Sequence, residues 1–331
     1  MRASAIAVVG IAAVLLGAVA AAAPRASSTP RVLVFTKTAG FRHSSIPVAI
    51  QTVRRVGAGA GLRVDATEDA SAFADANLRR YAAVVFLLTT GDVLDPRQQA
   101  AFERFVRRGG GYAGVHSAAD TEHDWPWYGR LVGAYFRSHP DIQPAAMRVP
   151  SRKDPSTVGL PLRWTRTDEW YNFARNPRGS VRVLATIDES SYAPGPGAMG
   201  ADHPIAWAHE YQGGRAWYTA GGHTEESYAE PLFRQHLMGG IRYAAGLTPP
   251  RIHSVTAVVR ERRLVVMVRY SGCQPCRGRL QVRVAGRWVN TPLRLDGTTG
   301  HARSQLLPPG RHAFSVTLED PLTRLRDVVR R

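Results

Sequence analysis

The stretch 109-GGGYAGVHSAAD-120 decides the fold. Glycines interrupt the chain, Tyr112 to Val115 form a short apolar run, and a turn follows at His116. Gly114 stands two residues before the histidine and Ala118 two after it. A strand that runs into a sharp elbow needs such small flanks, and in many α/β enzymes the tip of that elbow carries the nucleophile. Here the tip is a histidine. The residues on either side supply the rest of the pattern. Upstream, 94-LDPRQQAAFERFVRRGGG-111 places Asp95 before Pro96, then an amphipathic stretch, then Arg107 and Arg108 ahead of Gly109. These are the cap, first-turn proline, basic last turn and glycine stop of a helix. Further upstream, RVLVFT from Arg31, LRVDAT from Leu62 and YAAVVFLLTT from Tyr81 read as buried strands. Between the first two, SSIPVAIQTVRRVGAGAG reads as a helix capped by Ser44 or Ser45. Strands alternating with helices predict a parallel, doubly wound sheet.

Downstream, the pattern loosens from Asp120 to Gly200, where aromatic residues and proline are frequent. It tightens again at HPIAWAHE and GRAWYTA, which flank a turn at Gln212-Gly213-Gly214 and predict a hairpin. A helix, EPLFRQHLMGGIRYAAG, closes the domain, and the boundary is expected at 247-LTPP-250. Beyond it the character changes to short alternating segments, HSVTAVV, RLVVMVRY, GRLQVRV, HARSQLL and HAFSVTLED, with no helix pattern before the last residues. That predicts a small all-β, immunoglobulin-like sandwich over 250–331. A chain of 331 residues is longer than one core usually covers, which agrees with an α/β domain over 31–248 followed by a second domain.

The N-terminus reads MRASAIAVVGIAAVLLGAVAAAAPR: one basic residue, an apolar run, then small residues. This is the pattern of a signal peptide over 1–23, so the protein is expected to be secreted or held in the cell envelope. Retention of the same run as an anchor is the competing reading. The formal charge of +17 is almost all arginine, since Lys37 and Lys153 are the only lysines. From Pro249 onward sixteen arginines face five acidic residues, so the last quarter carries +11 of that charge. An exported basic module suits an anionic cell-surface polymer better than nucleic acid, which is not an expected partner. Cys273 and Cys276, the only cysteines, are expected to close a local disulfide.

In an open α/β sheet, ligands bind beyond the carboxyl ends of the strands. Three histidines fall just past predicted strand ends: His43 in AGFRHSS, His116 at the elbow and His223 in YTAGGHTEE. With Glu169 of RTDEWYNF they form the candidate catalytic set, a histidine and a carboxylate being a natural acid–base pair. Histidines with a carboxylate can equally hold a divalent metal such as zinc, although no closely spaced ligand pair marks such a site. Asp168, Tyr171, His139 and Trp207 are candidate substrate-binding residues, and His123 lies in similar aromatic surroundings. A thiolate nucleophile is excluded from this domain because it contains no cysteine. Ser117 is the remaining nucleophile candidate, but the elbow register fits His116 better.

The segments GFRHSSI, GGGYAGVHSA, GAYFRSHP, DEWYNF and HPIAWAHEYQGGRAWYTAGGHT resemble, in order, the motifs of the trehalose-utilisation (ThuA-like) family. The resemblance covers about Arg31 to Gly246. It implies the three-layer, flavodoxin-related fold of the class I glutamine amidotransferase-like proteins. It also implies a role in the use of trehalose-like disaccharides or keto-sugar derivatives. It does not imply amidotransferase activity, because this family has no elbow cysteine. DEWY departs slightly from the commoner Asp-Glu-Leu-Tyr form. A non-catalytic glycan-binding protein using the same pocket is the alternative.

Overall fold

A computed structural model describes residues 29–247, 251–271, 277–295, 299–310, 312–319 and 326–330. The expected signal peptide and the Cys273–Cys276 disulfide lie outside the described residues. In the first domain β1 (Arg31–Phe35), α1 (Ile46–Gly59), β2 (Arg63–Thr67), α2 (Asp75–Leu78), β3 (Ala83–Leu87), α3 (Pro96–Arg107) and β4 (Gly111–Val115) follow the predicted alternation. Asp95 caps α3 through the backbone N–H groups of Arg97 and Gln98, and the Gln98 side chain accepts from the Asp95 N–H. Such a reciprocal box satisfies donors that a helix end leaves without intrahelical partners.

The loosened region is more regular than its sequence suggested. It holds α4 (Pro126–Val132), β5 (Phe136–Ser138), β6 (Gln143–Arg148), β7 (Arg163–Asp168), β8 (Asn172–Phe173) and β9 (Arg182–Ile187). These strands are short or arginine-rich, so their alternation is weak. The domain continues with β10 (His203–Tyr211), β11 (Gly214–Thr219), α5 (Glu225–Ala229) and α6 (Pro231–Ala244). The β10–β11 hairpin forms as expected. Gln212 and Gly213 at its turn have φ of 48° and 96°, the positive values that a tight hairpin turn requires.

One nine-stranded sheet runs in the order β2-β1-β3-β4-β11-β10-β9-β6-β7. The half from β2 to β11 is parallel, and the half from β11 to β7 is antiparallel. The sheet is therefore mixed, where the sequence pointed to a parallel one. The antiparallel half is built from the segments whose pairing no local pattern announces. The alternation of β11 shows the three layers. Gly214 faces α3, where a Cβ would meet Val106, whereas Trp217 packs against Gly240 of α6. One continuous core spans Val32 to Ala245.

The second domain contains β12 (Arg251–Arg260), β13 (Arg263–Ser271), β14 (Arg277–Val284), β15 (Arg287–Leu295), β16 (Thr299–Arg303), β17 (Phe314–Glu319) and β18 (Arg326–Arg330). It is all-β, with its own small core around Val266, Val268, Leu280, Val282, Val316 and Leu318. The immunoglobulin-like sandwich is not what forms. A single antiparallel sheet runs β12-β13-β16-β15-β14-β17-β18. Its edges approach each other: the Ile252 N–H of β12 donates to the Asp327 carboxylate of β18 at 2.6 Å. The sheet is thus nearly closed into a barrel. Alternation in sequence identifies strands but not their pairing order, and curling one twisted sheet until its edges meet is a second way to cover a small core. The last residues, which did not read as a strand, supply β18.

Candidate functional site

β4 runs straight into a 3-10 turn over His116–Asp120. His116 has a φ of 52°, an uncommon conformation for a non-glycine residue. The elbow is pinned from three sides. The Tyr218 hydroxyl donates to the His116 carbonyl at 2.8 Å, Tyr128 to the Ala118 carbonyl at 2.7 Å and Thr121 to the Ser117 carbonyl at 3.0 Å. A strained backbone held by buried hydrogen bonds is a common feature of functional sites. The strain here aims a buried imidazole beyond the carboxyl end of β4. Ser117 is also wholly buried, and among the described residues its hydroxyl has no hydrogen-bond partner and no base that addresses it.

The three histidines converge. The His43 ring lies edge-on to His116 and His223, with centroids 5.0 and 4.9 Å away, and the His116 and His223 centroids are 5.1 Å apart. Glu169 joins them: its Oε2 is 3.2 Å from His116 Nε2 and 3.2 Å from His223 Nδ1. One ligand atom from each of His43, His116, Glu169 and His223 lies within 4.8 Å of the others, a span that one ion can bridge. His139 Nδ1 sits 3.2 Å from Glu169 Oε1, at the exposed edge of the group. Tyr171, expected as a substrate contact, is buried against the cluster, with its ring centroid 4.1 Å from that of His116 and 4.3 Å from that of Phe136. Phe41, 65% exposed, stands edge-on to His43 at the opening.

Electrostatics divides the cluster. Burial and the neighbouring His116 and His223 push the His43 pKa down to about 3, so that ring is neutral. Burial works against the Glu169 carboxylate, but the adjoining His116 and His223 outweigh it and hold its pKa well below the usual range. Burial also works against a charged His223, and contact with Glu169 reverses this and raises its pKa. His116 Nδ1 donates to the Ala220 carbonyl at 2.7 Å, which leaves Nε2 to face the cluster.

Two more of the expected substrate contacts are corrected. Trp207 is fully buried in β10, stacked on Tyr218, and its indole N–H donates to the Val132 carbonyl at 2.7 Å. It is a core residue behind the elbow, because it falls on the inward face of a central strand. Asp168 is also fully buried, and its carboxylate is saturated. It accepts from Arg166 Nη1 at 2.5 Å, from the N–H groups of Gly222 at 2.7 Å, His223 at 3.0 Å and Glu169 at 3.0 Å, and from Ser227 Oγ at 3.2 Å. It therefore joins the Glu169 segment to the His223 loop and has no lone pair free for a ligand. Burial opposes its charge, and the adjacent Arg166 overcomes that and keeps its pKa low. His123 pairs with Asp120 at 2.9 Å and stacks on Tyr135.

The residues that sequence reasoning missed are those that hold Asp168. Arg166 is buried between Asp168 and Glu230 and lies over the Phe233 ring at 4.6 Å. Its position two residues before Asp168 on one face of β7 was the available signal. Ser45, noted only as a helix cap, makes no cap hydrogen bond and donates instead to the His223 carbonyl at 2.6 Å.

Comparison with known proteins agrees with this architecture. A ThuA-like protein from Bacteroides uniformis ATCC 8492 is 22% identical, with a TM-score of 0.56 over 69% of this chain and 95% of that one. A ThuA-like protein from Parabacteroides merdae ATCC 43184 is 20% identical, with a TM-score of 0.52 over 65% and 90%. At these identities the likeness speaks to the fold. No curated protein matches the chain. The family model described as ThuA, trehalose utilisation, matches residues 31–244, the segment that carries the elbow, the three histidines and Glu169, and the chain therefore belongs to that family.

Proposed function

We propose that the protein is an exported enzyme that acts on a small carbohydrate, a trehalose-like disaccharide or a keto-sugar derivative, at the His43–His116–His223–Glu169 cluster. Family membership supports a carbohydrate-related role in general. The observation that carries the enzymatic reading is the convergence of three histidines and one carboxylate at a strained, buried elbow. Titratable groups with shifted pKa values in one place are the mark of a reactive site more often than of a scaffold. Phe41 and Phe136 offer the aromatic surfaces on which the apolar face of a sugar can rest, while the polar cluster meets its hydroxyl or carbonyl oxygens. The donor set suits acid–base transfer through Glu169 and His223, and it also suits metal-assisted chemistry. The apolar N-terminal run supports export, and the arginine-rich barrel suits attachment to an anionic cell-surface polymer.

His116→Ala is expected to abolish turnover of the sugar substrate in protein whose circular dichroism shows that it still folds, although loss of a buried, hydrogen-bonded ring lowers its melting temperature. Full activity in this variant would refute the site. Tight disaccharide binding by the wild-type protein without product would favour the glycan-binding alternative.

A further inference from the structure

We infer that His116, His223 and Glu169 ligate a single zinc-class divalent ion and that His43 borders its open coordination position. The inference rests on the proposed sugar site and assigns its chemistry to the ion. His116 Nε2, His223 Nδ1 and Glu169 Oε2 form a triangle with all three sides 3.2 Å. Ligands about 2.0 Å from a tetrahedral ion are separated by about 3.3 Å, so the triangle has the dimensions of one face of such a shell.

Hydrogen bonding alone accounts poorly for the same triangle. His116 Nδ1 already carries a proton, because it donates to the Ala220 carbonyl. If both His116 Nε2 and His223 Nδ1 also carried protons to reach Glu169, His116 would be cationic and two N–H groups would crowd onto one oxygen with their nitrogens only 3.2 Å apart. If only one did, the other nitrogen would turn its lone pair toward a carboxylate oxygen at 3.2 Å. An ion inside the triangle uses all three lone pairs at once.

The surroundings are those of a ligand set. A ligating imidazole ordinarily donates its other N–H to a carbonyl or carboxylate, which fixes its tautomer. His116 does this through Ala220. Asp168 accepts the backbone N–H groups of both Glu169 and His223 and so holds two ligand-bearing segments in register. His43 Nδ1 is buried without a hydrogen-bond partner among the described residues, a polar atom left unsatisfied beside the cluster. Imidazole nitrogen with a single carboxylate selects zinc and its neighbours over magnesium or calcium, which prefer all-oxygen shells. A sugar carbonyl or hydroxyl oxygen in the open position would be polarised by the ion.

The test uses the full-length protein without a polyhistidine tag, stripped with a chelator and titrated with Zn²⁺ by calorimetry, with Co²⁺ as a spectroscopic probe. We expect one ion per chain and the visible absorption of four- or five-coordinate Co²⁺. His116→Ala, His223→Ala and Glu169→Gln should each weaken Zn²⁺ binding by at least about tenfold, the loss seen even for groups that only support a ligand. Glu169→Gln is the mildest change, and its circular dichroism should match the wild type. Should the alanine variants not fold, the Zn²⁺-induced rise in melting temperature of the wild type and its loss in Glu169→Gln carry the same information. Absence of binding, or equal affinity in all folded variants, would overturn the inference. So would an ion lost only on Cys273→Ser and Cys276→Ser. Undiminished sugar turnover by metal-free protein would overturn it while leaving the sugar site standing.

Discussion

Asp168→Asn isolates what holds the site together. The substitution keeps the shape of the side chain, removes its charge and converts one acceptor into a donor. Oδ1 receives the N–H groups of Glu169 and His223, and Oδ2 receives Arg166, the Gly222 N–H and Ser227. Whichever way the amide is turned, its NH₂ faces at least two buried donors. Each buried donor left without an acceptor costs about 1–3 kcal/mol. Arg166 would also lose one of its two carboxylate partners, and breaking a buried ion pair from one side costs about 3–5 kcal/mol. These costs overlap, so the expected loss is about 3–5 kcal/mol, a large share of the stability of a typical domain. Urea unfolding followed by tryptophan fluorescence reports chiefly on the α/β domain, because six of the seven tryptophans lie in it. Asp202→Asn, which breaks a half-exposed pair with Arg178, is the control and should cost less than about 1 kcal/mol. A loss below about 1 kcal/mol for Asp168→Asn would refute the reasoning, and so would unaltered site function in the folded variant.

The remaining predictions are shorter. Burial lowers the pKa of His236 from 6.5 to about 4. The unfolded chain therefore takes up that proton first, and the contribution is fully present above the unfolded value and lost as pH falls toward 4. At ~1.4 kcal/mol per pKa unit the loss is about 2 kcal/mol by pH 5; His236→Gln should flatten the pH dependence of urea unfolding by that amount, and an unchanged slope would count against it. The two hydrophobic cores are separate, one spanning Val32–Ala245 and the other Leu264–Leu318, so a chain ending near Thr248 should fold alone. Full-length protein should adhere to anionic polymers at low salt and release as the screening length shrinks to about 8 Å near physiological ionic strength. The shortened chain should adhere much less, and equal adhesion would make the basic charge incidental.

Sequence by itself determined the elements whose physics is local. The glycines around Tyr112–Val115, the Asp95–Pro96 helix start and the Gln212-Gly213 turn each act within a few residues, so β4, α3 and the β10–β11 hairpin were legible. So were the three histidines, because a parallel sheet puts the residues after its strands at one edge. Tertiary structure decided the rest. Only folding could bring Glu169, 53 residues beyond His116 in the chain, to 3.2 Å from it. Only burial could separate Asp168, which ties segments together, from Glu169, which faces the site, although they are adjacent and chemically alike. The pairing order of the weakly alternating strands was likewise illegible, both in the antiparallel half of the first sheet and in the near-barrel of the second domain. Strand pairing is a long-range choice settled by which apolar faces can be covered together, and single strands carry no record of their neighbours.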